Sequence, residues 1–218
     1  GRRITGWGNC MLKRTSSSGL RAALCALVSL FFLAPSLEAE IVEDQDITAT
    51  TTWSAIDVHR VTTSISVTDG VLIIDPGTII KFDSGASLTV SGGAINAAGT
   101  SGSEIVFTSV KDDSDGDDTN GDGDASTPGP GDWGGLHLSN VVPSAVTLSY
   151  VRVRFGGSLS ITAANADAIV LDTCTVDHAN TYGFRVDGSA TNVDASNCSF
   201  VSNGSHGVYV TNSVLALT

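Results

Sequence analysis

The sequence predicts an all-β fold, a right-handed parallel β-helix of about six to seven coils, with a projecting loop rich in Asp and Gly and a signal peptide in front. Three observations support this prediction. Short runs of β-branched and apolar residues alternate with Gly, Asn, Asp and Ser, similar segments recur every 22 to 24 residues, and one dense acidic stretch interrupts the recurrence. Repeats of this length indicate coils that bury their inner faces against one another.

Residues 1–39 are predicted to be an upstream extension followed by a secretory signal peptide that starts at Met11. Basic residues follow Met11, and residues 22–33 form an apolar run, which is shorter than the roughly 20 residues that a membrane-spanning helix needs. Ala39 offers a small residue for cleavage. We therefore expect a mature chain that is secreted, extracellular or held at the cell surface.

The mature part is strongly acidic. Removing residues 1–39 takes away five of the 11 basic residues and one of the 23 acidic residues, which leaves a net charge of −16. This charge excludes electrostatic binding to nucleic acid or to an anionic membrane. The expected partners are an extracellular polysaccharide or a cell-surface ligand, and we expect a monomer with no membrane span in the mature chain.

The first repeat lies within the predicted β-helix, residues 61–218, which follows an N-terminal cap segment, residues 40–60. SISVTDGVLIIDPGT aligns with SLTVSGGAINAAGT at an offset of 22 to 23 residues. A further apolar segment, IIKF or IVFT, follows each copy. The alignment predicts these stacked pairs: Ile65 over Leu88, Val67 over Val90, Gly70 over Gly93 (or over Gly92 with a one-residue gap), Ile73 over Ile95, and Gly77-Thr78 over Gly99-Thr100.

The second repeat aligns DTCTVDHANTYGFRVDGS with ASNCSFVSNGSHGVYVTNS at an offset of 24. Such even offsets argue against a β-sandwich, and a propeller blade needs about 40 residues or more. The upstream segment LSYVRVRFGG adds a third related strand. The predicted stacked pairs are Cys174 over Cys198, Val176 over Phe200, Gly183 over Gly207, Val186 over Val210, Val153 over Val176 and Arg154 over Asp177.

The stacked cysteines have two interpretations. An interior ladder of two buried thiols is the first, and a disulfide formed in an oxidising compartment is the alternative. Arg152 and Arg154 alternate with inward valines, so we interpret them as solvated charges on the outer face, with Arg154 in an exposed ion pair.

Residues 111–132 form an acidic loop inserted between two strands, and Lys111 is the one basic residue near it in the sequence. Within it, DTNGDGD places oxygen side chains at alternate positions and Gly at the sixth, which is typical of the first half of an EF-hand calcium loop. The twelfth position is Gly129, so the missing carboxylate must come from upstream, where Asp112 is one further candidate. The expected calcium ligands are Asp118, Asn120, Asp122 and Asp124, with Asp113, Asp115 and Asp117. A solvated loop is the alternative.

Residues 52–138 carry a further signature in VLIIDPGTIIKF, SLTVSGGAINAAGT, IVFTS, DDTNGDGD and GDWGG. This run resembles the N-terminal portion of secreted bacterial right-handed parallel β-helix repeat proteins of the pectate-lyase-like superfamily. The resemblance implies the fold and implies no single function, because lyases, hydrolases, adhesins and inert stalks share it. Polysaccharide lyases on this fold use carboxylate-bound calcium beside an Arg or Lys base.

No catalytic or organic-cofactor residues are predicted. One group of outward charges was considered as a catalytic cluster, namely Asp172, Asp177, Arg185 and Asp187. The histidines are interpreted as structural, and His137 is expected to face outwards in GLHLSN.

The predicted function is a calcium-stabilised β-helix module of a secreted or surface-exposed bacterial protein, which acts as a scaffold for adhesion or glycan contact. The alternative is a polysaccharide-degrading enzyme, a lyase or a glycoside hydrolase. Because the chain stops at VLALT in mid-repeat, we expect it to be part of a longer protein.

Overall fold

The structure is a computed structural model that describes residues 40–141, 146–162, 169–188 and 193–218. The predicted leader, residues 1–39, lies outside the described residues. Across the described ranges all regular structure is β-strand. No helix in this part of the chain is long and apolar enough to cross a membrane.

The strands form three parallel sheets, two of seven strands and one of six, and each coil after the first contributes one strand to each sheet. Sheet A contains β1 (Glu40–Glu43), β3 (Val58–Val61), β6 (Ile79–Phe82), β9 (Ile105–Ser109), β12 (Val151–Arg154), β15 (Thr175–Asp177) and β18 (Ser199–Val201). Sheet B contains β4 (Ile65–Val67), β7 (Ser87–Val90), β10 (Gly135–Ser139), β13 (Leu159–Thr162), β16 (Tyr182–Asp187) and β19 (His206–Val210). Sheet C contains β2 (Thr51–Trp53), β5 (Val71–Ile74), β8 (Ala94–Ala98), β11 (Val146–Ser149), β14 (Ile169–Asp172), β17 (Val193–Ser196) and β20 (Leu215–Leu217).

This arrangement confirms the predicted right-handed parallel β-helix, with about seven coils. Residues 40–60, expected to form a cap, contain β1, β2 and most of β3. These strands pair in parallel with the following coil, so the segment already belongs to the stack.

Strand pairing confirms most of the predicted register. Six predicted pairs are found between paired strands: Ile65–Leu88, Val67–Val90, Val153–Val176, Arg154–Asp177, Val176–Phe200 and Val186–Val210. One pair is wrong, because Ile95 lies beside Leu72 and Ile73 lies beside Asn96. A shift of one residue turns a side chain to the opposite face of a strand, and Leu72 and Ile95 are both fully buried.

The core is a set of interior ladders that follow the direction of stacking. In sheet B, each coil adds one large apolar residue to a continuous column: Leu88, Leu136, Leu159 and Phe184. All four are at most 1% exposed, and burying each such side chain contributes about 1.5–3 kcal/mol. Cys174 is buried in the same core, Cys198 is partly buried against it, and both are free thiols.

The corners between sheets repeat the same backbone conformation in successive coils. Tyr150, Thr173 and Asn197 each precede a sheet A strand and have φ near 50° (49°, 54° and 54°). A non-glycine residue with this left-handed φ costs about 1–2 kcal/mol. The cost recurs because the chain must turn sharply there in each coil to keep the strands in register.

One passage departs from the regular coil. Four residues join β12 to β13, whereas residues 110–134 join β9 to β10 between the same two sheets. Trp133 lies at the penultimate position of this longer passage and is 1% exposed. Its ring stacks on Phe82 with 4.1 Å between centroids, and its Nε1 donates to the Arg154 carbonyl oxygen at 2.8 Å. The chain thus returns from the acidic loop onto the core of the coil.

Candidate metal centre

The acidic loop, residues 111–132, lies against the outer face of sheet A. Gly116, with φ +71°, brings the loop backbone close to this face. A β carbon at this position would lie 3.0 Å from Val58 Cγ2, 3.1 Å from Ile79 Cγ2 and 3.3 Å from Lys81 Cε. Glycine therefore satisfies both the left-handed backbone and the close contact with the sheet.

Lys81, in β6 of sheet A, attaches the loop to the sheet. Its side chain is completely buried, and its Nζ donates to the Asp117 carbonyl oxygen. Burial lowers the pKa of Lys81, while the nearby carboxylates, Asp113 first among them, act in the opposite direction. The buried amine of Lys81 is therefore stabilised by the loop in two ways, through the hydrogen bond to the Asp117 carbonyl and through attraction to the loop carboxylates.

Two arginines of β12 hold the first part of the loop. Arg152 donates through one nitrogen to both carboxylate oxygens of Asp115 at 2.8 Å. Arg154 Nη1 donates to Asp115 at 3.1 Å and to Asp112 at 3.2 Å, and its Nε donates to Asp177 at 3.4 Å. Asp112 is only 2% exposed, so this ion pair is shielded from water.

These contacts correct two expectations. Arg152 and Arg154 are not solvated strand charges, because the loop covers them: only 19% of the Arg154 side chain is exposed. Lys111 is also not the only basic residue near the loop, since Lys81 and both arginines reach it from other coils. Stacking brings them together at sequence separations of 36 to 42 residues, which local inspection of the loop does not reveal.

The base of the loop is closed by Asp132. Lys111 Nζ donates to Asp132 Oδ1 at 2.8 Å, and Ser109 Oγ donates to Oδ2 at 3.0 Å. The Gly129 N–H also donates to Oδ2 at 2.8 Å. Both ends of the segment are therefore joined through one carboxylate.

Three carboxylates meet in the middle of the loop. Asp113, Asp118 and Asp122 each offer one oxygen, and these atoms lie within 4.8 Å of one another. Asp118 is oriented by backbone N–H groups: Gly121 donates to its Oδ1 at 2.9 Å and Gly123 to its Oδ2 at 2.8 Å. The backbone turn of the EF-hand-like motif thus directs two of its aspartates, Asp118 and Asp122, towards Asp113 upstream.

Asp113 has an unusual environment for a carboxylate. Its Oδ1 is shielded from solvent and has no hydrogen-bond partner. Burial raises the pKa of Asp113, the neighbouring charge of Asp118 raises it further, and Lys81 partly opposes the shift. An unpaired buried carboxylate oxygen is costly, and a cation shared with Asp118 and Asp122 would satisfy it.

The other expected ligands have different surroundings. The Asp115 carboxylate is engaged by the arginines, and Asp117 uses its backbone carbonyl to bind Lys81. Asn120 donates to Asp122 Oδ2 at 3.0 Å and to Ser126. Asp124 is exposed and outside the three-carboxylate cluster. The geometry thus brings together Asp113, Asp118 and Asp122 from the expected set.

The donor set suits a hard cation. Calcium takes oxygen ligands at about 2.3–2.6 Å, so oxygens within 4.8 Å of one another can share one ion. The cationic side chains around the loop contact Asp112, Asp115, Asp132 and the Asp117 carbonyl, and none donates a hydrogen bond to this cluster. The negative charge left without an ion-pair partner is concentrated where the three carboxylates meet.

The other charges considered from the sequence lie apart from one another. Asp172 ends β14 of sheet C, where Asn197 and Ser196 donate to it and lower its pKa. Asp177 is in sheet A with Arg154, and Arg185 pairs with Asp187 in sheet B at 2.6 Å. The four residues are therefore distributed over three sheets and do not form one cluster.

Comparisons of the chain with protein-family models, with curated proteins and with solved structures found no match in any of the three.

Proposed function

We propose that the chain is a calcium-stabilised β-helix module of the cell exterior, which serves as a rigid scaffold for contact with glycans. The observation that carries the proposal is the meeting of Asp113, Asp118 and Asp122 around an unpartnered buried oxygen. A secreted protein meets calcium continuously, and extracellular calcium modules work with a Kd of about 10⁻⁴–10⁻³ M. Calcium would fasten the acidic loop to sheet A.

Two sequence features support the exterior location. The predicted leader directs secretion, and residues 52–138 resemble secreted proteins of the pectate-lyase-like superfamily. The scaffold role follows from the stack itself, because a solenoid presents long, regular outer faces on which extended ligands can lie.

Calorimetric calcium titration tests the metal site. We expect the wild-type chain to bind one calcium ion, and we expect the double variant Asp118→Asn/Asp122→Asn to lose this binding. Asparagine at position 118 retains one oxygen, which can still accept the Gly121 and Asp122 N–H groups, so this part of the turn should persist. Asp124→Asn is the matched control, because it removes one charge from the same loop outside the cluster and should leave binding intact. Equal heats for the wild type and the double variant would refute the site.

The variant Asp113→Asn distinguishes between two explanations of the acidic loop, a metal site and a solvated loop without a bound ion. Without calcium, this variant should be more stable than the wild type in urea unfolding, since it removes the charge on a buried, unpartnered oxygen. With calcium it should be less stable than the wild type, because it removes a ligand. A variant that shifts stability in the same direction under both conditions contradicts the proposal.

A further inference from the structure

A shallow groove of about 450 Å³ lies on the outer face of sheet B, whereas the acidic loop covers sheet A. Strand pairing places one outward side chain of each strand in a single row along the stack. From one end to the other, the row contains Ser66, Thr89, His137, Ser160, Arg185 and Tyr209. Neighbouring strands are about 4.8 Å apart, so this row presents hydrogen-bonding groups at regular intervals.

The lining of the groove is rich in uncharged hydroxyl groups. The side chains that supply them are Ser139, Ser158, Ser160, Thr162 and Thr181. His137 Nδ1 lies 2.7 Å from Ser160 Oγ, and burial lowers the pKa of His137. The imidazole is therefore neutral near pH 7, where it can both donate and accept a hydrogen bond.

An aromatic surface adjoins one end of this lining. Tyr182 lines the groove and stacks on Tyr209 with 4.6 Å between centroids. The His206 ring lies beside the Tyr182 ring, with 5.8 Å between their centroids. A partly exposed tyrosine offers an apolar ring together with a polar hydroxyl group, a combination that matches the apolar ring faces and hydroxyl edges of a sugar.

The charge of the groove is balanced. Arg185, its one cationic side chain, donates to Asp187 Oδ2 at 2.6 Å. The mature part contains five other basic residues, and each contacts a carboxylate or a carbonyl oxygen: Arg60, Lys81, Lys111, Arg152 and Arg154. A polyanion would meet no uncompensated cation here, and the net charge of the chain would repel it.

We propose that this groove binds a neutral glycan, with the sugar chain lying along the hydroxyl row and one ring stacked on Tyr182. The inference rests on the proposed glycan-contacting function and narrows it to uncharged sugars. Hydrogen bonds from hydroxyl and imidazole groups orient the chain, while ring stacking supplies apolar contact. Binding should be nearly independent of salt, because no ion pair forms with the ligand.

Affinity gel electrophoresis of the purified chain tests this inference. The probes are four soluble neutral polysaccharides (hydroxyethyl cellulose, laminarin, galactomannan and dextran) and the anionic polymer polygalacturonate. We expect at least one neutral polymer to retard the protein, equally at low and high salt. Tyr182→Ala should weaken that retardation about tenfold. The control Thr147→Ala, on the outer face of sheet C, should leave it unchanged.

The alternative outcomes are distinct. Retardation by polygalacturonate alone would overturn the neutral-glycan inference and keep a glycan-contacting scaffold. Retardation by none of the polymers would overturn both the inference and the glycan role, and calcium binding would then be judged separately by the titration. Equal weakening by Tyr182→Ala and Thr147→Ala would show that the groove is not the binding surface.

Discussion

Single glycines determine how closely neighbouring coils approach one another. Gly156 and Gly157 follow β12 and lie against Trp133 and Gly134 of the preceding coil. A β carbon on Gly156 would lie 2.8 Å from the Trp133 ring, and one on Gly157 would lie 2.2 Å from the Gly134 carbonyl oxygen. The glycine doublets of WGG and FGG are therefore a packing requirement at this corner.

Gly157→Ala should destabilise the chain by about 1–3 kcal/mol, because the new methyl group must displace backbone atoms of the adjacent coil. Urea unfolding monitored by tryptophan fluorescence measures the change. Gly102→Ala is the control, since a β carbon there meets nothing within 4 Å. A loss of stability as large in Gly102→Ala would show that glycine flexibility, and not the contact, is responsible.

At the scale of elements, the acidic loop and the outer face of sheet A form one unit. Lys81 of β6, Thr108 of β9 and Arg154 of β12 lie in adjacent register positions, and all three side chains bond to the loop. The loop therefore joins three coils across the stack. Its attachment depends on charges that are far apart in the sequence.

Arg154→Ala should destabilise the protein by about 3–5 kcal/mol, because it leaves the buried Asp112 carboxylate without its charged partner. Arg60→Ala is the matched control on the same face of sheet A. Arg60 pairs with Asp83 in a partly exposed position, so its loss should cost about 1 kcal/mol or less. Similar losses for the two variants would mean that the Arg154 contacts with the loop contribute little.

Limited proteolysis provides a second measurement on the same variants. Cleavage between residues 111 and 132 should accelerate in Arg154→Ala and stay at the wild-type rate in Arg60→Ala.

At the scale of the whole molecule, stability must overcome the mutual repulsion of an acidic chain. The net charge of residues 40–218 is −16, and five of their six Lys and Arg side chains already form ion pairs with carboxylates. Salt screens this repulsion without any specific site, whereas a calcium ion acts at one place. The two effects can be separated by thermal unfolding.

Adding sodium chloride should raise the Tm of both the wild type and Asp118→Asn/Asp122→Asn, with the smaller rise in the double variant because it carries two fewer negative charges. Calcium at about 100 times its Kd should stabilise only the wild type, by about 2.7 kcal/mol, which corresponds to a rise in Tm of about 5–10 °C. Differential scanning calorimetry at constant ionic strength checks this. If calcium stabilised the double variant as much as the wild type, its effect would be explained by charge screening and not by binding at the site.

The sequence alone determined the solenoid, because each coil repeats the same inward positions at 22 to 24 residues and only stacking buries them. It also predicted the acidic loop and, because the turn motif is local, the shared position of Asp118 and Asp122, whereas Asp113 was one of several upstream carboxylates between which the sequence did not choose. The predicted pair of Ile73 with Ile95 was wrong by one residue, because an alignment through glycines does not define which side chain faces inwards.

Only the tertiary structure decided how the loop is held. Lys81, Arg152 and Arg154 are remote from it in sequence and read locally as ordinary strand residues, yet stacking places them beneath it. The same holds for the groove of sheet B, whose lining comes from three successive strands and the turns beside them. The fold follows from a pattern that recurs along the sequence, so the repeat alone predicts it. Ion pairs and ligand-binding surfaces depend instead on which distant residues the stacked coils bring within a few ångströms of one another.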